Sequence, residues 1–407
     1  MSLLQSFERR DASLSLLWSD GSRDDYPYIW LRMNSPDDTT RHASTGQILV
    51  SIADFDDDEL VPETVVRAAD DDGLLIDWPG MTEPARFSLR WLRAHASNRS
   101  NRAGFAHRTG NYPDIEPWLP AEAASVPVFD YRPMRVPSTR DGHTREVLQA
   151  FFRYGFVRLR DVPVEPGYLM RVVAELGGYV RETNYGRTFQ VVAQPDPSHL
   201  AYSGVALGLH TDMGYRDCTP GVQLLHCLIS SAEGGESIIA DGFCICRDLW
   251  QADREAFEIL SRVPVSFRYR DAHTELFEEK SLIQVPPHHG AGERPPQVSG
   301  LYFNQRTLQP LVLDSPDEVG AFYRAYRVLA AMIEDPRYTF EFKLAPGELL
   351  VFHNRRILHG RRGYQVPGHL SAAAGDAPIR HLEGGYADLD GLHSRLRVLS
   401  RPVPAAR

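Results

Sequence analysis

Three histidine–carboxylate pairs separated by one residue occur in this sequence: His210-Thr211-Asp212, His273-Thr274-Glu275 and His381-Leu382-Glu383. On an extended segment, residues i and i+2 project to the same side, so the imidazole and carboxylate of such a pair can reach one ion. One more histidine would complete a 2-His-1-carboxylate facial triad, which leaves three positions open on non-haem Fe(II) for a co-substrate and oxygen. With 15 histidines, chance supplies about one or two such pairs, so the surroundings must choose among them. His210 precedes the apolar run Gly221-Val222-Gln223-Leu224-Leu225, and Leu349-Leu350-Val351-Phe352 leads towards His359-Gly360-Arg361; opposing strands of a barrel would bring these distant groups together. His273 sits in the charged run from Arg268 to Lys280, where a solvated side chain is the ordinary outcome. His353 follows the same apolar run as His359 and rivals it; a strand-end histidine bonded to a neighbour is the alternative for it.

The whole chain narrows the partners. Its 407 residues suggest about two domains, one of them large. A formal net charge of −10 argues against a nucleic-acid backbone, which needs a concentrated basic face, and favours a small-molecule substrate. Met1 to Asp11 has no apolar stretch, and no uninterrupted apolar run approaches the roughly 20 residues that span a bilayer, so neither secretion nor membrane insertion is expected. The cysteines, Cys218, Cys227, Cys244 and Cys246, crowd the middle third, a poor basis for a disulfide framework. They read as reduced thiols of a cytoplasmic protein.

The elements that must position the triad can be traced along the chain. From residue 1 to about 96 the signals are those of a small β-rich domain: Leu14-Ser15-Leu16 alternates, Ser19-Asp20-Gly21 turns before Tyr28-Ile29-Trp30-Leu31, and Asp70-Asp71-Asp72-Gly73 turns with Gly73 free to take positive φ. Residues 97–124 lose periodicity and read as a linker. Residues 125–407 form the larger domain. Helices are expected over Thr144–Arg153, stopped by Gly155; over Pro166–Leu176, closed by Gly177-Gly178; and from a Ser315-Pro316-Asp317-Glu318 cap to about Ile333. Phe156 to Leu159 alternates as a strand, and short strands and turns fill the rest. The fold class is mainly β with flanking helices.

Five ordered stretches carry a resemblance over nearly the whole chain: His210-Thr211-Asp212, Pro220-Gly221-Val222-Gln223-Leu224-Leu225-His226-Cys227, Glu233-Gly234-Gly235-Glu236-Ser237, Leu358-His359-Gly360-Arg361-Arg362 and Arg380-His381-Leu382-Glu383-Gly384-Gly385-Tyr386. The sequence resembles the gamma-butyrobetaine hydroxylase-like branch of the Fe(II)/2-oxoglutarate dioxygenases, related to the taurine dioxygenase group. The resemblance implies a double-stranded β-helix, or jelly roll, with His210, Asp212 and His359 as iron ligands. It places Arg380 on the distal carboxylate of 2-oxoglutarate, with Ser237 and Leu225 beside the co-substrate; a guanidinium fork suits a carboxylate because it binds bidentately and stays charged. Pro367–Pro378, between His359 and Arg380, looks longer than the family's loop, which makes Arg361 and Arg362 fallback candidates.

The same resemblance implies a substrate pocket in which Tyr185, Phe189, Tyr202 and Tyr386 cage a trimethylammonium group, with Phe189 where the family has Trp, a stronger cation-π partner. Asn304 matches a position that helps hold the substrate's carboxylate, whereas Met213 and His199 replace an expected Tyr and Asn; Arg306 offers charge nearby. In the small domain the family's Cys-x-Cys-x-x-Cys zinc site gives way to Asn34–Thr40, and no cysteine precedes Cys218, so structural zinc is not expected. The function implied is hydroxylation of a small quaternary-ammonium substrate with O2 and 2-oxoglutarate, releasing succinate and CO2, by a homodimeric enzyme. The alternatives are a dioxygenase of another small acid (phosphonate, sulfonate or trimethyllysine-type) and a catalytically silent betaine-binding protein.

Overall fold

A computed structural model describes residues 3–97, 115–192, 205–231, 233–286, 295–365 and 380–401. The chain divides into two compact units, Met1–Thr109 and Gly110–Arg407.

The first unit contains two antiparallel three-stranded sheets. Leu4–Arg9 (β1), Ser13–Trp18 (β2) and Arg23–Pro27 (β3) form one; Thr64–Arg67 (β4), Gly73–Asp77 (β5) and Ala85–Ser88 (β6) form the other. Leu14, Leu16 and Trp18 from β2 join Leu74, Ile76, Trp78 and Phe87 in one buried cluster, as alternating strands that each cover one face require. Two local expectations change. Tyr28-Ile29-Trp30-Leu31 does not extend a strand but opens a helix, Tyr28–Met33, because Tyr28, Leu31 and Arg32, at i, i+3 and i+4, turn one buried face inward. In the 70–73 turn the positive φ falls on Asp71, at 62°, not on Gly73. Gly73 instead begins β5, where a Cβ would lie 3.1 Å from the Phe87 carbonyl oxygen, so glycine permits close strand approach. At 34–40, the Asp37 carboxylate accepts from the backbone N–H groups of Thr39 and Thr40 at 3.0 and 2.8 Å.

The second unit mixes sheet and helix. Its six-stranded sheet runs in the order Val128–Asp130 (β7), Phe156–Arg160 (β8), Leu349–His353 (β19), Val222–Ser230 (β11), Arg380–Ala387 (β22) and Phe189–Val192 (β9), antiparallel throughout except between β7 and β8. A four-stranded antiparallel sheet runs Leu207–His210 (β10), Ile357–Arg361 (β20), Ser237–Asp241 (β13) and Phe340–Phe342 (β18). Three short pairs complete the strands: Glu233–Gly234 (β12) with Tyr364–Gln365 (β21), Pro264–Arg270 (β14) with Glu275–Ser281 (β15), and Ile283–Gln284 (β16) with Gly300–Leu301 (β17). Cys227, Leu350, Phe352 and Leu382 from the first sheet pack with Ile239 and Ile357 from the second, so the two sheets share a core. The central strand β11 is apolar on both faces because Val222 and Leu224 also pack against the helices Pro137–Tyr154 and Leu389–Leu399.

The helices lie near their expected places with shifted ends. Pro137–Tyr154 starts seven residues before Thr144, since proline is tolerated in a first helical turn, and it ends at Gly155 with φ 80°. In the 166–176 stretch only Leu169–Glu175 is helical. Ser315 caps Pro316–Glu334 by accepting from the Glu318 N–H. Part of the expected linker is ordered: Pro120–Ser125 is a helix, and the buried Trp118 donates its indole N–H to the Tyr154 carbonyl at 2.7 Å. Among the described residues no helix is long and apolar enough to cross a membrane.

Candidate active site

The second sheet brings two distant histidines side by side. His210 ends β10, His359 sits in β20, and the two are direct cross-strand partners, with ring centroids 4.3 Å apart. Asp212 lies two residues past β10, in the loop, so strand alternation alone does not aim it. Three neighbours do. Asn354, fully buried in the turn between β19 and β20, accepts from the Asp212 N–H and donates to the Asp212 carbonyl, both at 2.9 Å. Phe303 donates its N–H to the Thr211 hydroxyl at 2.8 Å, and the Asn304 amide donates to the Thr211 carbonyl at 3.1 Å. Met213 then takes a φ of 60°, turning the chain away from the site at a cost of about 1–3 kcal/mol that these bonds must offset.

His210, Asp212 and His359 each offer one ligand atom, all within 4.8 Å of one another; no other such cluster of His, Cys, Asp and Glu occurs among the described residues. His210 Nε2 is 3.3 Å from Asp212 Oδ1, and His359 Nε2 is 3.5 Å from Asp212 Oδ2. A charge-assisted hydrogen bond closes to about 2.7–2.9 Å. Ligand atoms about 2.1 Å from one ion at right angles lie about 3.0 Å apart, and the observed spacing suits a cation between them better than a direct pair. The tautomers agree: His210 Nδ1 donates to the Gly208 carbonyl at 2.9 Å, which leaves Nε2 with its lone pair turned to Asp212. Burial, then His210, lower the His359 pKa and keep it a neutral ligand. Burial would raise the Asp212 pKa, but the closeness of His210 and His359 outweighs it and holds the carboxyl well below the usual range. Gln223 and Tyr386 donate to Asp212 Oδ2 at 3.0 and 2.9 Å, fixing the carboxylate's rotation.

A second group lies at the far end of β20. Arg361 and Arg380 are both buried, and their guanidinium carbons stand 4.8 and 5.6 Å from the centroid of the Tyr364 ring. Burial, then the neighbouring Arg361 charge, push the Arg380 guanidinium down to about 10, and among the described residues no carboxylate pairs with it. A buried guanidinium with no carboxylate partner is costly, so the Arg380 corner is suited to a carboxylate ligand. Ser237 is the cross-strand partner of Arg361 on β13. Gly235 makes room for Arg380, since a Cβ there would lie 3.2 Å from its Nε. Leu225 lies on β11 opposite Gly384, farther along the sheet.

Three of the four aromatics that the resemblance assigns to a cage are brought together. Phe189 stacks on Tyr386 at 5.3 Å between centroids, and Tyr185 stands 6.3 Å from Phe189. Gly384 makes the stack possible: a Cβ there would lie 2.1 Å from Phe189 Cζ. Two further rings extend the cluster. Tyr269 meets Tyr185 edge-on at 5.8 Å and stacks on Tyr215 at 5.2 Å. Sequence reasoning missed both, along with Gln223 and Asn354; Tyr215, three residues after Asp212, was within reach of inspection, whereas nothing local marks Asn354. Tyr202 and His199 lie outside the described residues, as does the Pro367–Pro378 loop. Asn304 is present but engaged: besides donating to Thr211, its Oδ1 accepts from the Arg306 N–H at 3.2 Å. His353 stays apart from the triad, its Nδ1 accepting from the Arg355 N–H, and His273 is exposed. Cys244 and Cys246 are buried in the helix Gly242–Ala252, and burial pushes both thiols up.

Comparison with known proteins agrees with this geometry. Residues 114–386 match the taurine catabolism dioxygenase TauD, TfdA family, and residues 6–93 match the gamma-butyrobetaine hydroxylase-like N-terminal family. The chain is 32% identical to the gamma-butyrobetaine dioxygenase of Pseudomonas sp. (strain AK-1), with 96% of this chain and 94% of the relative covered. It is 31% identical to the Homo sapiens gamma-butyrobetaine dioxygenase, with 98% of each covered. To the trimethyllysine dioxygenase of Meyerozyma guilliermondii it is 26% identical, over 95% of this chain and 94% of the relative. The chain therefore belongs to the TauD, TfdA family of Fe(II)- and 2-oxoglutarate-dependent dioxygenases, in its gamma-butyrobetaine hydroxylase-like branch.

Proposed function

We propose that this enzyme hydroxylates an unactivated C–H bond of a small betaine, with gamma-butyrobetaine as the reference substrate. The observation that carries the reading is the joining of Tyr185, Phe189 and Tyr386 to the metal site through the Tyr386 hydroxyl on Asp212. Their ring faces attract a cation that has no N–H to donate, and Tyr386 ties that pocket to the reacting centre. Tyr202 is assigned to the same cage, and His199 and Met213 to the substrate's other end, by family resemblance alone.

In this reading His210, Asp212 and His359 hold Fe(II), and Arg380, with Ser237 and Leu225 nearby, receives 2-oxoglutarate. When bound, the iron supplies the oxidising chemistry that converts 2-oxoglutarate and O2 to succinate and CO2 while one oxygen atom enters the substrate. The protein's part is positional. The Asn354 clamp and the Gln223 and Tyr386 hydrogen bonds hold Asp212 in one orientation, and the rings fix the ammonium end so that one carbon faces the metal.

The strand orders support a double-stranded β-helix. β9-β22-β11-β19 and β10-β20-β13-β18 are the two four-stranded faces of such a jelly roll, with β8 and β7 added at one edge. Residues 1–96 would form the small β-rich domain, 97–124 the connection and 125–407 the catalytic domain. Succinate release with a panel of quaternary amines and their tertiary counterparts tests the function: the reading expects the quaternary members to stimulate release and to leave as hydroxylated products. Stimulation confined to sulfonates or phosphonates would replace it with the other-acid reading.

A further inference from the structure

A small betaine carries an acid as well as an ammonium group, and the positions expected to hold that acid are altered or occupied. Met213 is apolar and buried. The Asn304 amide donates to the Thr211 carbonyl at 3.1 Å, and its oxygen accepts from the Arg306 N–H at 3.2 Å. Neither neutralises a carboxylate, and an acid desolvated without a cation is costly.

The same hydrogen bonds hold a cation in place. Phe303 and Asn304 bind the Thr211 backbone between two triad residues, so residue 306 follows a segment anchored to the metal loop. The Arg306 side chain is exposed, and partial desolvation lowers its pKa while Asp212 raises it. Among the described residues no carboxylate or carbonyl meets its guanidinium. Arg306, Asn304, Phe303 and His210 line a cavity of about 340 Å³; Glu334 lines it as well, and among the described residues no ion pair joins it to Arg306. Other cations nearby are engaged: Arg362, which lines the same cavity, pairs with Glu341 at 2.8 Å, and Arg216 is held by Asn184 at 2.7 Å.

We propose that Arg306 is the acid-recognising residue of this enzyme, its guanidinium fork taking the substrate carboxylate in place of the neutral groups that the pocket has lost. This rests on the betaine reading above. A bidentate fork in place of neutral donors makes the negative charge itself a selected feature, and neutral or cationic chains of the same length would be rejected.

The test measures equilibrium binding by calorimetry, without oxygen, to enzyme loaded with Fe(II) and 2-oxoglutarate. The two probes are gamma-butyrobetaine and its carboxamide, which keeps the ammonium and loses only the negative charge. The wild type is expected to prefer the acid by about tenfold to a hundredfold, the size of a hydrogen bond to a charged group. Arg306→Gln should bring the acid down to the amide's affinity and leave the amide unchanged, and Arg306→Lys should keep part of the preference. An acid-to-amide ratio that is the same in the wild type and Arg306→Gln, with both probes still bound, overturns this inference and leaves the betaine reading standing. A wild type that binds neither probe overturns both.

Discussion

The metal end and the amine end of the site are held by different kinds of force. At the metal end Asp212 and His210 have directional partners: Asn354 on both sides of the Asp212 peptide, Gln223 and Tyr386 on its carboxylate, Gly208 on His210. At the amine end Tyr185, Phe189 and Tyr386 meet only through ring faces and edges 5.3–6.3 Å apart. Hydrogen bonds fix direction, which metal coordination needs. Stacked rings fix a volume and a charge preference, which recognition of a rounded cation needs. Damage at the first end should therefore be steep and damage at the second graded.

The largest effect should come from the ligands and their clamp. His359→Ala is expected to lose stoichiometric Fe(II) by metal analysis and to drop succinate release to background. Asn354→Ala keeps all three ligands but frees the Asp212 peptide, and should cost about 10–100-fold in metal affinity. Unchanged iron binding in Asn354→Ala would show that Asp212 is aimed by something other than its backbone clamp.

Next comes the co-substrate corner. Arg380→Ala should raise the 2-oxoglutarate requirement by about tenfold to a hundredfold while iron occupancy and the amine requirement stay near normal. If Arg361→Ala raises that requirement instead and Arg380→Ala does not, 2-oxoglutarate has been assigned to the wrong arginine.

Smaller effects belong to the rings. Gly384→Ala places a methyl where Phe189 now lies, so the ring must shift; binding of the amine should weaken by several-fold to about thirtyfold with iron content unchanged. Loss of iron in that variant would mean the two ends are not independent. Smallest of all, Phe189→Trp should tighten binding of a quaternary amine by about two- to fivefold, read as a lower concentration for half-maximal succinate release. No change on that substitution would place residue 189 outside the cage.

The two ends also differ in how well the sequence announces them. His210, Asp212 and His359 are legible because their types and a spacing of two declare metal chemistry, and because the apolar runs at 221–225 and 349–352 declare the strands on either side. Asn354 and Gln223 are not legible, since an amide earns its role only when folding sets it against Asp212 from 142 and 11 residues away. Tyr269 is hidden for a related reason: it sits on β14, a hairpin whose charged alternation reads as solvated surface. In the first unit, local pattern missed the helix at Tyr28–Met33, where burial at i, i+3 and i+4 overrode a β-like composition, and put positive φ on Gly73, when tight packing against Phe87 was what required that glycine.

The most direct test of the account asks whether the pocket reads charge or merely shape. Succinate release can be followed with gamma-butyrobetaine and with its carbon isostere, in which a quaternary carbon replaces the ammonium nitrogen and the acid is kept. A ring cage contributes about 1–2 kcal/mol to a desolvated cation, so the betaine should reach half-maximal stimulation at a concentration several-fold to about thirtyfold lower than the isostere. Equal stimulation by the two at equal concentrations would contradict the account and leave Tyr185, Phe189 and Tyr386 as packing around a dioxygenase of some other small acid.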